Sequence, residues 1–130
     1  MIVDTSVLVA IVLDEAEAER FMAAIIAAGV CRISAVNWLE TQLVLESRTG
    51  KLGALKAQAL LAEFAMERLN LDEAQVAAAY LAWQRFGKGR HPAQLNLADC
   101  CAYAASVTSG EPLLFKGNDF ALTDVEAAAW

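Results

Sequence analysis

The sequence predicts an α/β protein with a central, mostly parallel sheet covered by helices on both faces. Three observations carry this reading. Short apolar runs alternate along the chain with longer helical patterns, the signature of strands joined by crossover helices. The first run, Met1-Ile2-Val3, stops abruptly at Asp4-Thr5-Ser6, as a buried strand does where it leaves the core. From Leu97 to Val107 the only clearly polar side chains are Asp99 and Ser106, and a helix apolar all round is a buried one.

Each element follows from its local residues. Thr5 and Ser6 turn the first strand into a short helix, their hydroxyls suited to free backbone N–H groups. Asp14 is the expected cap of a second helix reaching about Ala28, with Phe21 and Ile25 on its apolar stripe and Gly29 as its stop. Val30 to Ile33 reads as the second strand. Ser34 caps a third helix to about Arg48, ended by Gly50. A fourth, very apolar helix covers roughly 52–67, and 68–71 is a candidate third strand. Asp72 caps a fifth helix that ends before Gly87. Gly87-Lys88-Gly89-Arg90-His91-Pro92 is a basic loop rich in turn residues. Asn96 caps the sixth helix, which runs to about Ser109, and Leu113 to Phe115 is the fourth strand. Lys116-Gly117-Asn118-Asp119 turns away from that strand's carboxyl end. Thr123 to Trp130 is an edge strand or a frayed end.

Composition narrows the class. A length of 130 residues suits one domain with a real core. Hydrophobic residues make up 58% and mean hydropathy is +0.41, more apolar surface than a monomer of this size hides. A protein partner, a homodimer or both are expected. The longest apolar run, Val7 to Leu13, is far short of a membrane span, and no signal-peptide pattern is visible. Three cysteines, two of them adjacent, do not make a disulfide framework, so a reducing cytoplasm is expected. No Cys/His spacing points to zinc. The net charge of −6 argues against a simple nucleic-acid binder, unless several acids are neutralised by a bound cation.

Four acids are candidates for that role. Asp4 lies at the carboxyl end of the first strand, where open α/β sheets bind ligands; its other reading is a helix cap. Glu40 falls at helical spacing with Val36, Leu39, Leu43 and Ser47, the stripe expected to face the core. A carboxylate there needs a partner or a metal. Asp99, three residues after Asn96, fits a capping box and also places a charge at the sheet's carboxyl edge, beside Asp4. Asp119 follows the fourth strand in an ordinary turn sequence. Carboxylates that converge from four segments cannot all stay ionised without a cation. All-oxygen ligands select Mg²⁺ or Mn²⁺, the usual setting for metal-assisted phosphodiester cleavage.

Taken together, Ile2-Val3-Asp4-Thr5-Ser6, the helical Glu40, the segment from Gly87 through Asn96-Leu97-Ala98-Asp99-Cys100, and Leu113 to Phe120 resemble a PIN-domain ribonuclease. More narrowly, they resemble the VapC-type toxins of bacterial toxin–antitoxin pairs. The match spans nearly the whole chain. The resemblance implies a three-layer α/β/α sandwich and Mg²⁺- or Mn²⁺-dependent endonucleolytic cleavage of RNA. It further implies a homodimer held in check by a VapB-like antitoxin. By that likeness Asp4, Glu40 and Asp99 are metal-site acids and Ser6 is the polar residue beside them. Many PIN domains carry another acid two residues before the position of Asp119; here it is Gly117. Either Asp119 serves alone as the fourth acid, or the site has three acids.

Arg85, Lys88, Arg90 and Lys116 flank the segments that carry Asp99 and Asp119 and are candidate phosphate contacts. Trp38 and Leu45, opposite the expected core stripe of the third helix, are candidate subunit or antitoxin contacts. So are Leu60 and Phe64, turned away from Leu55 and Ala59 on the fourth. Two other classes compete. A Mg²⁺-dependent phosphatase or phospho-acceptor shares an Asp after the first strand and a Lys after a late one, but its second Asp is replaced by Ser6. A non-catalytic interaction domain of the same fold would not need its acids intact.

Overall fold

The computed structural model describes residues 1–130. Four strands, β1 (Ile2–Val3), β2 (Arg32–Ser34), β3 (Glu67–Leu69) and β4 (Leu113–Leu114), form one sheet in the order β3-β2-β1-β4. Every pairing is parallel. Six helices surround it: α1 (Thr5–Val12), α2 (Ala18–Ala28), α3 (Ala35–Thr49), α4 (Lys51–Glu63), α5 (Glu73–Phe86) and α6 (Leu97–Ser109). The tail adds a one-residue parallel bridge, Leu113 to Ala127, on the outer side of β4.

The period-two alternation of a strand splits the core into two halves. Ile2 and Leu113 point into one cluster, shared with α5 and α6. Val3 and Leu114 point into the other, shared with α1, α2, α3 and α4. All four are fully buried, and each such side chain contributes about 1.5–3 kcal/mol. The result is the three-layer α/β/α sandwich. No helix is long and apolar enough to cross a membrane.

β1 is central, with β2 on one side and β4 on the other. The crossovers from β1 lead outward through β2 to β3, and the chain then returns to the far side of β1. That reversal opens a crevice at the carboxyl end of β1, the place where such sheets bind ligands.

Caps at Ser34, Asp72 and Asn96 stand where the sequence places them. Other expectations need correction. Asp14 does not cap α2: it adopts a positive φ of 54°, and the helix begins three residues after Glu15 with no side-chain cap. The fourth helix stops at Glu63, where Ala65 also takes a positive φ, so that Met66 enters the core and β3 starts at Glu67.

The buried face of α3 is rotated from the apolar stripe. Asn37, Trp38, Thr41 and Leu45 are buried, while Leu39 and Leu43 are exposed and Glu40 is half-buried. Trp38 and Leu45 are therefore core residues and not docking residues. On α4 the expected sides are likewise exchanged: Leu55 is exposed, and Leu60 and Phe64 are half-buried, with Phe64 packed against the core.

Candidate active site

Asp4 ends β1 and begins α1, so its backbone is held by the sheet and its side chain by the helix. Its N–H donates to Leu114 O of β4 at 2.9 Å. One carboxylate oxygen, Oδ2, accepts from the backbone N of Ser6 at 2.9 Å and from Ser6 Oγ at 2.6 Å. The other, Oδ1, accepts from Asn37 Nδ2 at 3.0 Å. Asp4 is thus both the helix cap and a fixed, buried acid, and the two readings of it coexist. Ser6 Oγ in turn accepts from Lys116 N at 2.9 Å, tying the end of β4 to the acid.

Asp99 also serves twice. It forms a complete capping box, with Asn96 N donating to Asp99 Oδ2 at 2.8 Å and Asp99 N donating to Asn96 Oδ1 at 3.0 Å. A first-turn acid so fixed also faces the crevice. Glu40 reaches the same space from the middle of α3. Asp4, Glu40 and Asp99 line one cleft of about 380 Å³, joined by Thr5, Ser6, Glu15, Arg48 and Lys116.

The electrostatics match that crowding. Burial raises the Asp4 carboxyl above its ordinary range, against the lowering effect of the Ser6 hydrogen bonds, and the charge of Glu40 raises it further. Burial raises Glu40 as well, with Asp99 adding repulsion. Asp99 is pushed up to about 6, by burial first and then by the charges of Asp4 and Asp119. Asp119 itself is exposed on the turn after β4 and is not part of the cleft wall; it acts on Asp99 through its field.

Of the four expected phosphate contacts, only Lys116 lines the acid cleft. Its Nζ donates to Glu15 at 2.6 Å and Glu17 at 2.7 Å. Arg85 pairs with Asp124 at 2.7 Å and lies over the Phe86 ring. The Arg90 guanidinium sits 3.9 Å from the Trp83 ring centroid. Lys88 is exposed on a separate, mostly apolar pocket with Trp83 and Leu97. His91 is structural, its Nδ1 accepting from Ala93 N at 3.1 Å.

Sequence reasoning missed Asn37 and Arg48. Asn37 is fully buried, accepts from the Ser34 hydroxyl, receives the Thr5 hydroxyl on its carbonyl at 3.1 Å, and donates to Asp4. Its one signal is its place three residues after the Ser34 cap and three before Glu40. Asn37→Ala should destabilise the fold by about 1–3 kcal/mol, because it leaves buried polar partners unsatisfied. Urea denaturation measures this; an unchanged midpoint would mean that water replaces the amide at no cost.

A family model for the PIN domain matches residues 1–126. A ribonuclease VapC of Mycolicibacterium smegmatis is 46% identical over 127 residues, covering 98% of each chain. Ribonuclease VapC30 of Mycobacterium tuberculosis is 43% identical over 129 residues, 99% of this chain and 98% of the relative. Among solved structures, Mycobacterium tuberculosis VapC20, described as a sarcin-ricin loop cleaving toxin, has a similar fold. It superposes with a TM-score of 0.77 at 18% identity, covering 95% of both chains. A chain of a toxin–antitoxin complex from Klebsiella pneumoniae matches with a TM-score of 0.69 at 17% identity, over 92% of this chain and 89% of that one. Fold and acid cleft define a PIN domain, and this chain belongs to the PIN-domain family, with the VapC ribonucleases.

Proposed function

We propose that the protein is a Mg²⁺- or Mn²⁺-dependent endoribonuclease, the toxin of a VapBC-type toxin–antitoxin pair, with residues 1–130 acting as one cytoplasmic nuclease domain. The observation that carries the metal-dependent reading is the meeting of Asp4, Glu40 and Asp99 in one cleft with all three carboxyls raised. The ribonuclease class is supported by relatives of that name over nearly the full length.

The donor set fits a hard divalent ion. It is all oxygen, and acids that repel one another are relieved by a cation. No three acids are close enough to make a closed metal cage. An open cleft suits Mg²⁺, which keeps several waters and takes one or two carboxylates. When bound, such an ion supplies a water of lowered pKa and stabilises the departing oxygen. Asp4 and Asp99 are the residues that would hold it, since each is locked in place by hydrogen bonds from its own helix terminus. Ser6 and Asn37 fix the two oxygens of Asp4 and keep that carboxylate from turning. Glu40, half-buried in the same cleft wall, would complete the acid set as a further ligand or as a proton acceptor.

RNA cleavage is expected to vanish in chelator and to return with Mg²⁺ or Mn²⁺. Undiminished cleavage in chelator would rule out the metal mechanism.

Partners follow from the surface. Leu39 and Leu43 on α3, Val76 and Tyr80 on α5 and Leu97 on α6 are exposed apolar side chains, which supports a homodimer. Ile11, Val12, Met22 and Leu60 line a second groove between α1, α2 and α4, which supports a VapB-like antitoxin helix lying there.

A further inference from the structure

We propose that Arg48 is the cleft's phosphate-binding residue, gripping the RNA backbone beyond the scissile bond. The proposal rests on the ribonuclease reading and adds a subsite to it. Glu40, Val44 and Arg48 follow one another at four-residue steps and all line the cleft wall. Eight residues along a helix are about 12 Å, so Arg48 is rooted about two turns beyond Glu40 and enters the cleft from its far end. It marks the direction in which the strand leaves.

Two cations line the cleft. Lys116 is committed to Glu15 and Glu17, and those two bonds raise the pKa of its ammonium. Arg48 is exposed and takes part in none of the ion pairs. A polyanion entering a cleft walled by three carboxylates meets repulsion from the acids, and a free guanidinium with a bidentate fork offsets it. The competing explanation is that Arg48, in the last turn of α3, only complements the helix dipole. That role affects stability and leaves RNA binding untouched, so the two are separable.

The test compares Arg48→Gln and Arg48→Lys, each in an Asp99→Asn background, binding a labelled single-stranded RNA oligonucleotide across a salt series. Phosphate contacts are independent of sequence, so a mixed-sequence probe serves. Arg48→Gln should weaken binding about tenfold at low salt. It should also reduce the slope of log affinity against log salt by about 0.7, the value of one phosphate on a single strand. Arg48→Lys should restore the slope. In the otherwise native enzyme, Arg48→Gln should raise KM and leave kcat unchanged. If the native protein cleaves RNA while slope and KM are the same with Gln as with Arg, the Arg48 subsite is overturned and the ribonuclease reading stands. If the native protein neither binds nor cleaves RNA, both fall.

Discussion

Asp99→Asn should lower RNA cleavage on the order of 10²-fold or more without unfolding the protein. The charge is what the chemistry needs, because a neutral amide neither attracts a divalent ion nor sits in the mutual field of Asp4 and Glu40. The fold needs only an acceptor. In the capping box Asp99 Oδ2 receives Asn96 N, and an Asn carbonyl oxygen can take its place. Asp99→Ala removes both functions and should be inactive and less stable than Asp99→Asn. The measurement is single-turnover cleavage alongside thermal unfolding. Near-native cleavage by Asp99→Asn would remove Asp99 from the reacting groups and leave it as a cap.

The same substitution should make the metal-free protein more stable at neutral pH. With its folded pKa raised to about 6, Asp99 holds its proton more tightly in the folded state than in the unfolded one. Its contribution to stability is therefore fully present below the unfolded value and is lost as pH rises through about 6. The raised Asp4 and Glu40 carboxyls act in the same sense. In chelator, the wild type should lose stability between mildly acidic and neutral pH. Asp99→Asn, which has no charge to bury, should gain about 1 kcal/mol over it at neutral pH, after allowance for solvent screening of a partly exposed group. The gain should shrink at acidic pH and be cancelled by Mg²⁺, which stabilises the wild type by mass action. Thermal melts of both proteins across pH, in chelator and in Mg²⁺, read all three. A variant that melts below wild type at neutral pH in chelator would show that the acids do not strain one another. Asp4 is the poorer place for this experiment. An Asn there would turn an amide toward the amide of Asn37, setting donor against donor in a buried site.

The layers, and the positions of Asp4 and Asp99 at the sheet's carboxyl edge, were legible in the sequence because they are local signals. A strand that ends in Asp-Thr-Ser, a capping box at 96–99 and a helix apolar all round each carry their own physics, and each stands in the structure as read. The face of α3 was not legible. Hydrophobic periodicity selects Val36, Leu39 and Leu43, but the helix buries Thr41, whose hydroxyl donates back to Asn37 O on the same helix, and Asn37, whose amide donates to Asp4. A polar residue with its hydrogen bonds made is as much at home in the core as a leucine, and no periodicity reveals a partner that comes from another segment. Glu40 was found on a stripe that the protein leaves partly outside. The partners of the basic residues were hidden for the same reason. Lys116, Arg85 and Arg90 have partners in the α1–α2 loop, the tail and α5, none adjacent to them in the chain except for Phe86 beside Arg85.

The hydrogen bond from Lys116 N to Ser6 Oγ spans 110 positions of the chain. Its consequence lies in the order of synthesis. A ribosome delivers Asp4 first, but the serine that orients it is not anchored until β4 has left the exit tunnel and zipped onto β1. Through most of its translation the polypeptide carries Asp4 without Asp99 and without the β4 bond that anchors Ser6. A parallel pairing between the first strand and the last is also among the slower contacts to form. A nascent chain, or one cut short before β4, therefore cannot hold the site in its finished geometry. Topology thus completes the acid cleft only when nearly the whole chain has been made.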